Sequence, residues 1–171
     1  MAATDPAPTD DSNLHAQQLR AAMSRFPTGV TVVTALTEAG PSGLAANAVS
    51  SLSLDPPLML VCVDRGSRTL RALEAAGRFG VNVLAGHAAD LAVGFGSKAP
   101  TAEKWTGVGW RKSQGIPVLD DAIVWIGCRL RDVISGGDHV IVTGEVLGVE
   151  ERDGAPLLVH AGTYRELDGG S

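Results

Sequence analysis

The sequence predicts a mainly β protein, an antiparallel barrel or sandwich with a few peripheral helices. Three observations carry that reading. Strand-like apolar runs at 28–36, 43–54, 58–64, 79–84, 122–134 and 139–150 mostly follow one another without a helix between them. Turn chemistry joins them, with TEAGPSG before the second run, DPP before the third and SGGD between the two longest. Helical periodicity is confined to three short stretches.

The first of these is led by Asn13, a suitable N-cap, with Leu19, Ala22, Met23 and Phe26 on one stripe that Pro27 ends. TGVTVVTAL (28–36) and the small-residue stretch 43–54 read as a hairpin, the latter as one strand bending over a barrel. PLMLVCVD is an unbroken apolar run, expected to be covered on both faces. Ser67 is placed to cap a helix over 68–76 that Gly77 closes, with Leu70 and Leu73 inward. FGVNVL (79–84) is a strand and ADLAVGFGS (89–97) a short helix. The stretch from Ser97 to Pro117, with Trp105 and Trp110, has no clear period and reads as a long irregular loop of the kind that carries function. In the two long strands that follow, Val124, Ile126, Cys128 and Leu130 alternate with Trp125, Arg129 and Arg131, and HVIVTGEVLGVE alternates likewise at Val140, Val142 and Val146. PLLVHAGTY is a last strand.

With 171 residues, 44% hydrophobic and 19% charged, the chain suits one globular domain over 13–167, with disordered tails at 1–12 and 168–171. A net charge of −5 gives no basic footprint for nucleic acid or an anionic membrane. The acidic, Pro-rich N-terminus lacks the features of a secretory signal, and no apolar run approaches the roughly 20 residues that span a bilayer. Cys62 and Cys128 read as reduced core thiols of a cytoplasmic protein.

Several catalytic signatures fail. GFGSKA has the form of a dinucleotide fingerprint but follows a helical pattern rather than a strand, and it lacks the residue order of a P-loop. His15, His87, His139 and His160 have no metal-ligand spacing, and no nucleophile elbow surrounds the serines, so neither a metal site nor a hydrolase centre is expected. The stretch GLAANAVSSLSLDPP is unusually small and hydroxylated for a core strand. Ala45, Ala46 and Ala48 would admit a flat ligand close to the backbone, with Asn47, Ser51 and Ser53 as hydrogen-bonding groups and a possible phosphate cradle. The alternative is that these serines cap a bulge or face water.

FPTGVTVVT, GLAANAVSSLSLDPPLMLVCV, the S-x-T of Ser67 and Thr69, RFGVNVL, GGDHVIVTGEV and the late GTYREL occur in one order from about Leu19 to Leu167. Together they resemble the flavin reductase family, the small reductase components of two-component flavin-dependent monooxygenases. The resemblance implies a split antiparallel β-barrel that binds FMN or FAD and a homodimer. It also implies NAD(P)H-driven flavin reduction that supplies a separate monooxygenase. By position it places Thr28, Gly29, Val30 and Thr31 along the isoalloxazine and Ala46 and Asn47 at its polar edge. Ser51 and Ser53, with Ser67 or Arg68, fall at the ribityl phosphate. Phe95, Lys98, His139 and Tyr164 fall on the nicotinamide side. The chain departs from many relatives after Asn47, where Ala48 and Val49 replace a Ser and an aromatic.

Hydride transfer between nicotinamide and flavin needs no protein base, so His139, the candidate catalytic residue, is read as a positioning donor or a nearby charge. No Arg cluster suited to a 2′-phosphate is evident, which favours NADH, with NADPH the alternative. Two rival readings are a non-catalytic flavin-binding module and an enzyme that keeps flavin as a fixed prosthetic group. An open sheet edge or barrel lip with Trp105 or Trp110 exposed would be costly in a monomer, which adds to the expectation of a homodimer.

Overall fold

The computed structural model describes residues 10–167; of the tails expected at 1–12 and 168–171, residues 10–12 belong to the first helix and the rest lie outside the described residues. The chain opens with α1 (Asp10–Met23), three residues ahead of the expected cap at Asn13, followed by the short β1 (Thr28–Gly29). β2 (Thr31–Thr37) and β3 (Gly40–Ala46) form the expected hairpin, in register from Thr37 opposite Gly40 to Thr31 opposite Ala46. The strand predicted over 43–54 is two strands. It breaks at Asn47 and Ala48, and β4 (Val49–Leu54) pairs instead with β5 (Pro57–Asp64).

α2 (Arg68–Ala76) and β6 (Arg78–Leu84) come next, then α3 (Ala89–Gly96) and α4 (Thr101–Lys104). α2 has the caps its sequence signals: the Ser67 hydroxyl accepts from the Thr69 amide at 3.1 Å, and Gly77 closes the helix at φ 61°. The stretch after Ser97 is more ordered than expected, since besides α4 it contains the hairpin of β7 (Trp110–Ser113) and β8 (Ile116–Leu119). Gln114 and Gly115 both take positive φ in its two-residue turn, which matches the twist of the flanking strands. The long strands β9 (Ala122–Gly136) and β10 (His139–Glu151) are joined through Gly137 and Asp138, and β11 (Leu157–His160) and β12 (Thr163–Glu166) split the last predicted strand into a hairpin.

Seven strands form one antiparallel sheet in the order β3-β2-β6-β9-β10-β5-β4, while β1, β11 and β12 make a small second sheet. β3 and β4 are therefore neighbours in the chain but opposite edges of the sheet. Two residues cannot span a flat seven-stranded sheet, so the sheet must curl until its edges approach. The closure has no ladder between β3 and β5; the Cys62 amide donates to the Ala48 carbonyl at 2.9 Å, and the seam above that bond stays open. This is a split barrel.

Its core gathers Val33, Val61, Phe79, Leu73, Cys128 and Val142, all fully buried. Trp125, which alternates with Val124 and Ile126, is only 2% exposed, because the β7–β8 hairpin folds Ile116 and Val118 over its face of β9. Asn82 holds that hairpin down: its amide donates to the Val32 carbonyl at 3.0 Å, and its Oδ1 accepts from the Leu119 amide at 2.9 Å. Nor are Trp105 and Trp110 an exposed lip. They stack edge to face with each other at 5.6 Å, and Trp105 does the same with Phe95 at 5.1 Å. Exposed apolar side chains lie elsewhere, among them Leu14, Leu19, Met23 and Phe26 on and after α1 and Leu52 and Leu54 on β4.

Cys62 and Cys128 are both free thiols, but only Cys128 is a core residue, whereas Cys62 is half-buried at the seam. Burial pushes the Cys128 thiol up from 9.0 to about 12. The folded state thus holds a proton that the unfolded chain releases first, so this contribution to stability is present below pH 9 and is lost as pH rises toward 12. Cys128→Ala removes the linkage. The variant is expected to melt below wild type at neutral pH, and the gap should narrow as pH rises through that window in thermal melts. A constant gap would contradict the shift.

Candidate functional site

The open seam of the barrel is a cleft of about 570 Å³. One wall is β3 from Gly43 to Ala46, continued by Asn47 and Ala48; the opposite wall is Cys62 and Asp64 of β5, and the loop at Ser67 and Arg68 and the end of α3 close one end. The small side chains of β3 keep its wall low. Gly43 is required by packing: a Cβ there would lie 2.7 Å from the Phe95 ring and 3.3 Å from Trp105.

Charge is concentrated at the loop end. Arg68, Lys98 and Lys104 all line the cleft, and none forms an ion pair among the described residues. Arg68 Nη2 donates to the carbonyls of Ala99 and, at 3.3 Å, Lys98, while Lys104 Nζ donates to the Phe95 carbonyl at 2.9 Å. These bonds fix the loop while leaving further donors on both cations unused. Burial, and secondarily the Arg68 charge, holds the Lys104 ammonium below the ordinary lysine range. Asp64 Oδ1 accepts from the Gly66 amide at 2.6 Å and shapes the turn that presents Ser67. Ser67 accepts from the Thr69 amide and keeps its own hydroxyl hydrogen to donate.

His139 lines the same cleft, placed opposite Asp64 by the β10–β5 ladder and so beside the Asp64–Ser67 turn. Its Nδ1 lies 2.8 Å from Asp138 Oδ1, which leaves Nε2 as the uncommitted ring nitrogen. The same hydrogen bond holds the Asp138 carboxyl below its usual range.

Of the residues singled out in the sequence, Ala46, Asn47, Ser67, Arg68, Phe95, Lys98 and His139 share this cleft. Val30 and Tyr164 line an adjoining hollow of about 200 Å³ that shares Ala45, Ala46 and Asn47 with it. Thr28 lines a third, largely apolar groove with Met23, Phe26 and Cys62, and its hydroxyl is buried without a partner. Gly29 lines none of the three, and the Thr31 hydroxyl is spent on the Ala46 carbonyl at 2.6 Å.

Ser51 and Ser53, expected at the phosphate, do not line this cleft. They lie on the edge strand β4, beyond the break at Asn47 that separates it from the cleft wall, and the Ser53 hydroxyl accepts from the Asp55 amide at 3.2 Å. Lys104, Ser97 and Thr101 were missed, since nothing in TAEK distinguishes a cleft lysine from a solvated one.

A family model described as flavin reductase like domain matches residues 23–168. The chain is 39% identical over 153 residues to HsaB, the reductase subunit of a flavin-dependent monooxygenase of Mycobacterium tuberculosis, covering 87% of this chain and 81% of the relative. Among solved structures, it resembles nitrilotriacetate monooxygenase component B from Mycobacterium thermoresistibile, with a TM-score of 0.85, 38% identity and coverage of 91% and 88% of the two chains. An NADH:FAD oxidoreductase of Streptomyces globisporus C-1027 superposes with a TM-score of 0.86 at 30% identity, covering 98% of this chain and all of that one.

Proposed function

Because the chain belongs to the flavin reductase-like family, we propose that the seam of its barrel is the flavin site and that the nicotinamide nucleotide enters beside His139. The protein is an NAD(P)H-dependent flavin reductase that supplies reduced flavin to a separate flavin-dependent monooxygenase. The observation that carries the site assignment is the polarity of the cleft, with small apolar side chains along one wall and Arg68, Lys98 and Lys104 at one end. That donor set fits a phosphorylated flavin: cations, the Ser67 hydroxyl and the start of α2 suit a phosphate. The low Ala45–Ala46 wall suits a flat ring system.

Bound flavin supplies the acceptor for a hydride from the reduced nicotinamide, and no protein base is required. The protein's part is therefore binding and orientation. Ala45 and Ala46 allow close approach to the backbone, and the exposed Asn47 amide offers both donor and acceptor at the polar edge of the ring. Ser67, Arg68 and Lys104 hold the phosphate, joined by Lys98, which the resemblance put on the nicotinamide side but whose carbonyl is bonded to Arg68 at the cationic end. Phe95, packed on Trp105, stiffens the loop that carries both lysines. His139 presents Nε2 at the mouth, while Asp138 holds Nδ1.

Steady-state NADH oxidation with added FMN or FAD tests the reading. Turnover with free flavin, and flavin lost on gel filtration, is expected. Binding without NADH oxidation would identify a flavin-binding module, and flavin retained through turnover and filtration a fixed prosthetic group.

The finer assignments are a homodimer, a cytoplasmic protein and NADH as donor. The exposed Leu19, Met23 and Phe26 beside the groove containing Val49 and Leu60 support the first, because that groove borders Asn47 and Ala48 and a second copy seated there would adjoin the flavin cleft. The two free thiols fit the second. Among the described residues no helix is long and apolar enough to cross a membrane. Light scattering is expected to give twice the chain mass, and a monomer at working concentration would contradict the dimer.

A further inference from the structure

We infer that the cleft selects its flavin by the phosphate, taking FMN and FAD and discriminating against riboflavin, and that Lys104 is the residue that sets this discrimination. The inference rests on the flavin site proposed above. It begins with a cost. In a chain of net charge −5, Arg68, Lys98 and Lys104 are brought to one end of one cleft with no ion-pair partner among the described residues. Asp64, the carboxylate that also lines the cleft, has one oxygen committed to the Gly66 amide. Like charges held together oppose folding unless an anion is to be received there.

The three cations differ in what they contribute. Arg68 and Lys98 are exposed, so water and salt screen them. Lys104 is half-buried and tethered through Nζ to the Phe95 carbonyl, an arrangement in which the fold itself already meets its desolvation. Its lowered proton affinity has the same origin, burial first and the Arg68 charge second. An anion reaching the two remaining N–H donors of Lys104 forms charge-assisted hydrogen bonds with little further ordering. The phosphate of FMN carries about −1.5 to −2 charge near neutral pH, whereas the ribityl hydroxyl of riboflavin is neutral and leaves the ammonium uncompensated.

The measurement is the dissociation constant of the full-length chain for riboflavin, FMN and FAD by fluorescence quenching, in wild type, Lys104→Met and Lys104→Arg. Wild type is expected to bind FMN and FAD at least about tenfold more tightly than riboflavin, the size of one charge-assisted hydrogen bond. Lys104→Met should remove about tenfold of that preference and leave riboflavin binding within about twofold, and Lys104→Arg should keep part of it. Inorganic phosphate should compete with FMN but not with riboflavin on the wild-type protein, a test that stands even where a variant fails to fold. Equal affinity of wild type for all three flavins, an equal loss of all three in Lys104→Met, or phosphate that fails to compete with FMN would overturn the inference. In those cases NADH oxidation with FMN still holds the flavin reductase reading. Failure to bind or reduce any flavin would remove that reading as well.

Discussion

Gly43→Val is expected to destabilise the protein by about 1–3 kcal/mol and to weaken flavin binding by more than about tenfold. The cause is contact, not backbone conformation. A Cβ at position 43 falls 2.7 Å from the Phe95 ring, and the two γ-methyls of valine add volume in a space that has none. Phe95 is 1% exposed and rests edge to face on Trp105, which rests on Trp110, so relief requires moving a stack of three aromatic rings. That stack backs the segment carrying Lys98 and Lys104, and Lys104 is bonded to the Phe95 carbonyl. Displacing the ring therefore displaces the phosphate donors. Thermal melting should show a loss of roughly 2–4 °C per kcal/mol for a chain of this size, with flavin affinity measured on the same samples. Gly29→Ala, whose Cβ would meet nothing within 4 Å, is the comparison for stability and should melt with wild type. A Gly43→Val protein with wild-type melting temperature and flavin affinity would show that this wall yields, and the argument from packing would fail.

His139→Ala should lower kcat/KM for NADH by about ten- to a hundredfold, the size of one or two lost hydrogen bonds to a charged or developing-charge group, with flavin affinity and melting temperature nearly unchanged. The structure separates this from a structural role. The histidine side chain is 46% exposed, and its hydrogen-bond partner is the neighbouring carboxylate of Asp138, itself 91% exposed. What ties the β9–β10 turn to the barrel is other chemistry: the Arg65 amide donates to the Asp138 carbonyl at 3.1 Å, and Arg65 Nε to the Gly137 carbonyl at 2.6 Å. Removing the imidazole leaves those bonds in place. Stopped-flow flavin reduction and a melting curve on one purified variant test the assignment. A destabilised protein with wild-type reduction rate and NADH affinity would sink it.

The features read correctly from the sequence are those decided by a few adjacent residues. Ser67 and Gly77 bound α2 because capping depends on one side chain and the amides beside it. SGGD places His139 at the first pair of β10, because a two-residue turn fixes the register of the hairpin it closes. The antiparallel β character followed from alternation and turn chemistry in the same way. Ala46, Asn47, Ser67, Arg68 and His139, which the resemblance had grouped, line one cleft. What the tertiary structure alone decided depends on partners distant in the chain. The stretch 43–54 reads as one strand until β2 claims its first half and β5 its second, on opposite edges of the sheet, which takes Ser51 and Ser53 away from the cleft and makes Asn47 the seam. Trp125 alternates with Val124 and Ile126 onto a face of β9 that becomes interior only when the β7–β8 hairpin covers it. Lys104 is one more lysine in a short polar stretch until the loop folds back on Phe95 and sets its ammonium beside Arg68. The physical reason is common to all three. Local pattern specifies which face of an element is apolar, but whether a side chain meets solvent, core or cleft depends on which elements pack there, and that is settled by the cooperative closure of the whole barrel.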